Sequence, residues 1–167
     1  MVRFETVEND QQIATVETLA GEIWHQHYPT IITREQIIYM LERFQSFDAI
    51  REQLTEGYHY ALIRDGDAPA GYLAVQCDAM TGDMFLSKVY LHERHRGKGA
   101  GYAAMHYIAN EARRCGCRRL WLTVNRMNKV AIQAYKKWGF TITGEVVADI
   151  GNGYVMDDFR MEKSLEE

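Results

Sequence analysis

The chain has 167 residues, 47% hydrophobic and 25% charged, with a formal net charge of −4 at pH 7. That length suits a single domain spanning residues 1–167, able to bury roughly 70% of its extended-chain surface, and the acidic balance argues against general nucleic-acid binding. No apolar run approaches the ~20 residues that span a bilayer, and the opening MVRFETVEND lacks the apolar core of a secretory signal. A cytoplasmic protein without membrane association is expected, with Cys77, Cys115 and Cys117 as reduced thiols.

VRFETV alternates in polarity and reads as an opening strand. Asn9 or Asp10 then caps a helix whose apolar stripe is Ile13, Val16, Leu19, Ala20 and Ile23. Pro29 disfavours helical geometry at Tyr28 and ends it. Thr33 and Gln36 form a T-x-x-Q capping pattern before a second helix carrying Ile37, Met40, Leu41 and Phe44. Ser46 caps a third, short helical segment ending near Gly57.

YHYALI and PAGYLAVQC are strands joined through the turn signal Asp65-Gly66. GDMFLSKVYL is another strand, and a helix follows from about Gly99 to Arg114. RRLWLTVN reads as a strand and NKVAIQAYKKWG as a short helix stopped by Gly139. FTITGEVVADI and YVMDDFRMEK close the chain as a hairpin around Asn152-Gly153, and KSLEE reads as a solvated tail. The order implies a mixed sheet with helices on both faces.

Chemistry concentrates in VYLHERHRGKGAGY, where a strand runs into a basic, glycine-rich turn at the mouth of a helix. A helix N-terminus offers unpaired N–H groups and partial positive charge, and glycines let a phosphate approach the main chain. Arg94, Arg96 and Lys98 add full charges among Gly97, Gly99 and Gly101. The P-loop pattern is absent, which argues against an NTPase. Gly99, Gly101 and Ala104 meet the loose dinucleotide pattern G-x-G-x-x-A, but the next strand ends in Asn125 rather than a ribose-holding carboxylate. A third pattern, R-x-x-G-x-G, is met by Arg94, Gly97 and Gly99. The bland alternative is a flexible basic surface loop.

The segment Val89 to Gly101 resembles the acetyl-CoA signature of the GNAT superfamily of N-acetyltransferases. A second block, LWLTVNRMNKVAIQAYKKWGF, is similar to that superfamily's N-x-x-A-x-x-x-Y-x-x-x-G-F element, with Asn128, Ala131, Tyr135, Gly139 and Phe140 in its slots. The resemblance implies a mostly antiparallel central sheet of about seven strands flanked by helices on both faces. It also implies acetyl-CoA as co-substrate, with Val89, Tyr90 and Leu91 offering main-chain groups to the pantetheine arm. Arg96, Gly97, Lys98, Gly99, Ala100 and Gly101 then wrap the pyrophosphate, with Arg94 at the first motif position. Asn128 either caps its helix or bonds the pantetheine amides. A main-chain N–H near Leu91 polarises the thioester carbonyl. Tyr135 matches the tyrosine near the cofactor sulfur, and a phenol with a reference pKa of ~10 stays protonated at neutral pH and can serve as the acid; the alternative is a tyrosine that only packs on the sheet.

Some superfamily members carry a glutamate in the strand before the glycine loop, but MFLSKVYL has no carboxylate after Asp83. The general base is therefore unassigned, with Glu22, His25, Tyr90 and Asp157 as members of a water chain. EIWHQHYPTIITREQIIYML resembles the corresponding region of bacterial GNAT proteins related to polyamine acetyltransferases. Trp24, His25 and Tyr28 are assigned to the acceptor, with Asp157 and Asp158 supplying negative charge. The alternative is that Trp24 and Tyr39 are core and the histidines solvated. Cys115-x-Cys117 and His92-x-x-His95 lack partners at structural-zinc spacing, so no metal is expected. The expected activity is direct transfer of an acetyl group to a primary amine of a small molecule or peptide, through a ternary complex; a homodimer fits the resemblance. The alternative is a non-catalytic CoA-binding module of the same fold.

Overall fold

The computed structural model describes residues 1–166. Strand β1 (Val2–Thr6) leads into helix α1 (Asp10–His27), whose residues Ile13, Val16, Leu19, Ala20, Ile23 and Trp24 recur at three- and four-residue spacing and are all buried. Asn9 closes a capping box: its side chain accepts from Gln12 N–H at 2.9 Å, and Gln12 Oε1 accepts from Asn9 N–H at 3.1 Å. Helix α2 (Arg34–Phe44) starts at Thr33, which accepts from Gln36 N–H at 3.2 Å. Helix α3 (Phe47–Thr55) is capped in the same way by Ser46.

Strands β2 (His59–Asp65), β3 (Ala68–Asp78) and β4 (Asp83–Leu91) follow, then helix α4 (Ala100–Arg114), strand β5 (Arg119–Asn125), helix α5 (Lys129–Lys137) and strands β6 (Thr141–Gly151) and β7 (Tyr154–Ser164). Asn152 and Gly153 both have positive φ, 53° and 79°, as a type I′ hairpin turn demands. The tail expectation needs correcting. Lys163 and Ser164 belong to β7, Lys163 Nζ donates to Trp138 O at 2.6 Å, and Leu165 N–H donates to Arg118 O at 2.8 Å. Glu167 lies outside the described residues.

The sheet has seven strands in the order β1-β2-β3-β4-β5-β7-β6, as the mixed-sheet expectation required. The β1–β2, β2–β3, β5–β7 and β6–β7 pairs are antiparallel. The β4–β5 pair is parallel, because α4 crosses between those two strands. β7 inserts between β5 and β6, so the last strand of the chain is interior and β6 forms the edge.

By contact the chain divides into two compact units, Met1–Gln76 with Lys88–Ile108, and Cys77–Ser87 with the chain from Ala109 on. In the first unit, α1, α2 and α3 cover one sheet face, burying Tyr60, Leu62, Tyr72 and Ala74 with Ile23, Ile37 and Ile50. On the other face Tyr107 of α4 stacks on Phe4 at 4.5 Å and meets His59 Nε2 at 2.8 Å. Alternation along β2 puts the neighbours His59 and Tyr60 on these opposite faces. In the second unit the buried residues include Leu120, Leu122 and Val124 of β5, Ile132 of α5, Phe140 and Met161.

One glycine is dictated by close approach. A Cβ on Gly71 of β3 would stand 2.1 Å from Tyr90 O and 3.1 Å from Leu91 Cα, so only glycine fits beside the end of β4. Among the described residues no helix is long and apolar enough to cross a membrane.

Candidate active site

The glycine-rich turn begins where β4 stops. His92 N–H donates to Ala70 O at 2.8 Å, and His92 Nδ1 accepts from Arg94 N–H at 3.3 Å, starting a short 3-10 turn over Glu93–His95. Gly97 and Gly99 then adopt φ of 75° and 83°, and nothing lies within 4 Å of the place a Cβ would occupy on either. The first backbone bond into α4 runs from Ala103 N–H to Gly99 O at 3.0 Å. The N–H groups of Ala100, Gly101 and Tyr102 come ahead of it, without intrahelical acceptors and at the positive end of the helix dipole. Open main chain, three exposed cations (Arg94, Arg96 and Lys98) and a helix start thus share one loop.

The R-x-x-G-x-G spacing occurs twice in this loop, and the structure separates the two. Arg94, Gly97 and Gly99 end at the residue that caps α4, whereas Arg96, Gly99 and Gly101 straddle the helix start. Arg96 Nε also donates to Leu91 O at 3.1 Å, so this side chain is anchored to the end of β4.

Beside the loop, in the first unit, lies a groove of about 910 Å³ between α1 and residues His92, Arg94, His95 and Lys98. His92 is buried, and its Nε2 stands 3.4 Å from Glu22 Oε2 and 3.4 Å from Gln26 Nε2. Nδ1 accepts the Arg94 N–H, which leaves Nε2 as the atom that faces the Glu22 carboxylate. His95 Nδ1 meets Asp65 Oδ2 at 3.1 Å, and that hydrogen bond holds the Asp65 carboxyl below its usual range. Two histidine–carboxylate pairs therefore line the groove. Sequence spacing weighed these histidines only as metal ligands.

Tyr90 joins an aromatic group with Tyr28, whose hydroxyl is 3.4 Å from its own, and with Trp24 and Tyr72 at ring separations of 5.7 and 5.4 Å. Trp24 and Tyr28 lie at a ring separation of 4.3 Å, and both belong to the buried core of the first unit. His25, the next residue on α1, is exposed. The structure thus brings Trp24, Tyr28 and Tyr90 together and leaves His25 apart from them.

In the second unit Asn128 is buried and caps α5, accepting from Ala131 N–H at 3.3 Å. Tyr135, about two turns further on, packs edge-on against Trp138 and Phe140 at 5.8 and 5.6 Å. The two adjacent aspartates of β7 have opposite fates, as strand alternation requires. Asp157 is exposed and pairs with Arg126 Nε at 2.9 Å, while the same guanidinium reaches Glu145 at 3.0 Å. Asp158 is only 3% exposed, stands opposite Asn125 of β5, and accepts a hydrogen bond from Thr123. Burial, with some help from the Asp157 charge, pushes its carboxyl up to about 6.

The chain matches the model of the Acetyltransferase (GNAT) family over residues 20–140. It is 32% identical over 132 residues to an uncharacterised N-acetyltransferase of Mycobacterium tuberculosis, covering 77% of this chain and 85% of that protein. It is 39% identical over 84 residues to streptothricin acetyltransferase of Streptomyces lavendulae, covering 50% of this chain but only 44% of the relative. Among solved structures, PaiA N-acetyltransferase of Thermoplasma acidophilum in complex with coenzyme A shares the fold with a TM-score of 0.80 at 20% identity, over 98% of this chain and 99% of that one.

Proposed function

This chain belongs to the GNAT family of acetyltransferases, and from that premise we propose that it moves an acetyl group from acetyl-CoA directly to a primary amine of a small molecule or peptide. Residues 1–167 act as one catalytic domain, in a ternary complex with both substrates. The observation that carries this reading is the turn from Arg96 to Gly101, with two left-handed glycines, open space above them and a helix start behind. That arrangement suits a diphosphate, which needs several N–H donors at close range and tolerates no Cβ in the way.

In this reading the N–H groups of Gly99, Ala100 and Gly101 bind the diphosphate, with Gly97 keeping the turn open and Lys98 and Arg94 adding charge. Arg96 anchors the loop to Leu91. Main-chain groups of Val89, Tyr90 and Leu91 pair with the amides of the pantetheine arm, in the manner of an added strand. An N–H of this strand end stabilises the charge that grows on the thioester oxygen as the amine attacks. Asn128 adds a hydrogen bond to the arm while capping α5, and Tyr135 gives its phenolic proton to the departing sulfur. Trp24, His25, Tyr28 and Asp157 are assigned to the acceptor, with Trp24 acting by setting the Tyr28 ring from behind and Asp157 by its charge rather than by contact. Coenzyme A supplies the activated acyl group; the protein supplies position, charge and protons.

The test is thiol release from acetyl-CoA in the presence of a panel of primary amines. Turnover with at least one amine is expected, and Tyr135→Phe should lower kcat by about 10²-fold with coenzyme A affinity nearly unchanged by calorimetry. Equal kcat in the phenylalanine variant removes Tyr135 from the reaction. No thiol release with any amine overturns the acetyl-transfer reading.

A further inference from the structure

The sequence leaves the proton acceptor of the reaction open, and the second unit contains a group suited to it. Among the described residues Asp158 is the only buried carboxylate, and it enters no ion pair. The neighbouring acids are already matched: Asp83 with Arg119, Asp157 and Glu145 with Arg126, and Glu162 with Arg160. Burying a carboxylate without a cation costs several kcal/mol, and carboxylates perturbed in this way cluster at functional sites.

Its surroundings say what that use is. β5 presents Thr123 to Asp158, and in register Asn125 faces it; β6 places Val146 on its other side. From β7 itself the charged neighbours are Asp157, whose charge works against ionisation, and Arg160, whose guanidinium lies over the Trp121 ring at 4.1 Å. Arg126 favours ionisation but is spent on Asp157 and Glu145 and lies over the Phe159 ring at 4.7 Å. On the face that Asp158 shares with Thr123, Trp121 stacks on Phe85 at 4.3 Å. That stack lies four residues along β5 from Asn125 with Arg160 over it, so what Asp158 offers an organic ammonium is a buried carboxylate that enters no ion pair. Asp158 stands opposite Asn125, the last residue of β5, which comes three positions before Asn128, the cap of the helix that carries Tyr135.

We propose that Asp158 is the general base, binding the acceptor as its ammonium ion and taking one proton from it; this rests on the acetyl-transfer reading above. The balance is simple. R–NH3⁺ gives a proton to Asp158 and becomes R–NH2, the nitrogen forms the N–C bond, and the C–S bond breaks. Sulfur receives the Tyr135 proton, the second nitrogen proton restores Tyr135, and Asp158 releases its own proton to solvent. A carboxyl titrating near 6 is ionised and ready in neutral solution.

The experiment compares Asp158→Asn and Asp158→Glu with the unsubstituted protein on two acceptors, an alkylamine that is protonated at pH 7 and hydroxylamine, which is not. For the alkylamine kcat/KM should rise with pH through a limb near 6, and Asp158→Asn should lose that limb and about 10²-fold in rate. Hydroxylamine needs no deprotonation, so Asp158→Asn should keep its rate within about threefold, and Asp158→Glu should recover part of the alkylamine rate. Coenzyme A affinity and the melting temperature confirm that the asparagine variant is folded. If both acceptors lose equally, or neither loses, the assignment of Asp158 fails while acetyl transfer stands. If the unsubstituted protein acetylates neither acceptor, the reading beneath it fails as well.

Discussion

Replacing Lys88 of β4 by methionine should stabilise the protein, although it deletes three hydrogen bonds. Lys88 is 6% exposed, and its ammonium donates to Phe44 O at 2.6 Å, to Gln53 Oε1 at 3.0 Å and to the Tyr60 hydroxyl. Three acceptors suit its three N–H bonds, but no carboxylate is among them, and burial pulls its pKa from 10.5 down to about 7. At 1.36 kcal/mol per unit that depression is a penalty on the cation of roughly 4–5 kcal/mol. Removing the amine orphans none of its acceptors. Phe44 O keeps the Gln53 Nε2 donor at 3.2 Å, and Gln53 Oε1 keeps the Tyr60 hydroxyl at 2.5 Å.

The unbranched methionine fills similar volume, so a net gain of about 2 kcal/mol is expected at pH 6, or about 4–8 °C in melting temperature for a chain of this size. The gain must shrink with pH. Between about 7 and 10.5 the unfolded chain still holds the lysine proton that the folded protein has given up, so the unsubstituted protein grows more stable across that window. Melts of both proteins at pH 6 and pH 10 check this. A methionine variant that melts lower at pH 6, or a difference equal at both pH values, would refute the reasoning.

Two more predictions concern the backbone of the site. Gly71→Ala drives a methyl group into Tyr90 O, and since main chain must move to relieve a 2.1 Å contact, a loss of at least ~3 kcal/mol is expected in urea unfolding. The same variant should raise KM for acetyl-CoA, because the displaced strand end is Val89–Leu91. A Cβ at position 99 meets nothing within 4 Å, so Gly99→Asp should keep the fold at a cost of about 1–2 kcal/mol for its positive φ, yet it sets a carboxylate where the diphosphate is proposed to bind. Calorimetry should show coenzyme A affinity reduced by at least about 10²-fold; an unchanged affinity in the folded variant contradicts the placement.

The local features of this protein were readable because each has a local cause. The stripe of α1 repeats at helical spacing, Asn9, Thr33 and Ser46 are capping residues, and Asn152-Gly153 can make only a left-handed turn. Trp24, four residues after the buried Ala20, continues that stripe into the core, although the sequence alone assigns it to the acceptor and keeps a core role as the alternative. Partners brought together by the fold were not readable. Glu22 and His92 meet across 70 residues of sequence, and nothing near either one announces the other. Asp157 and Asp158 look equivalent as letters; only the pairing of β7 with β5 and β6 buries one and gives the other to Arg126. Lys88 lies between. Alternation along LSKVYL put it on the face of Leu86 and Tyr90, but the oxygens that hold it come from α2, α3 and β2.

The interleaving of the two compact units in the chain limits how the molecule can be divided. Lys88–Ile108 returns to the first unit after Cys77–Ser87 has entered the second. A break in the exposed β3–β4 turn near Met80 would therefore yield an amino-terminal piece that lacks the basic loop. The carboxy-terminal piece would hold that loop without the α1 helix and β2 and β3 strands of its own unit. Neither piece holds the first unit whole, and a ribosome must pass residue 108 before that unit exists at all.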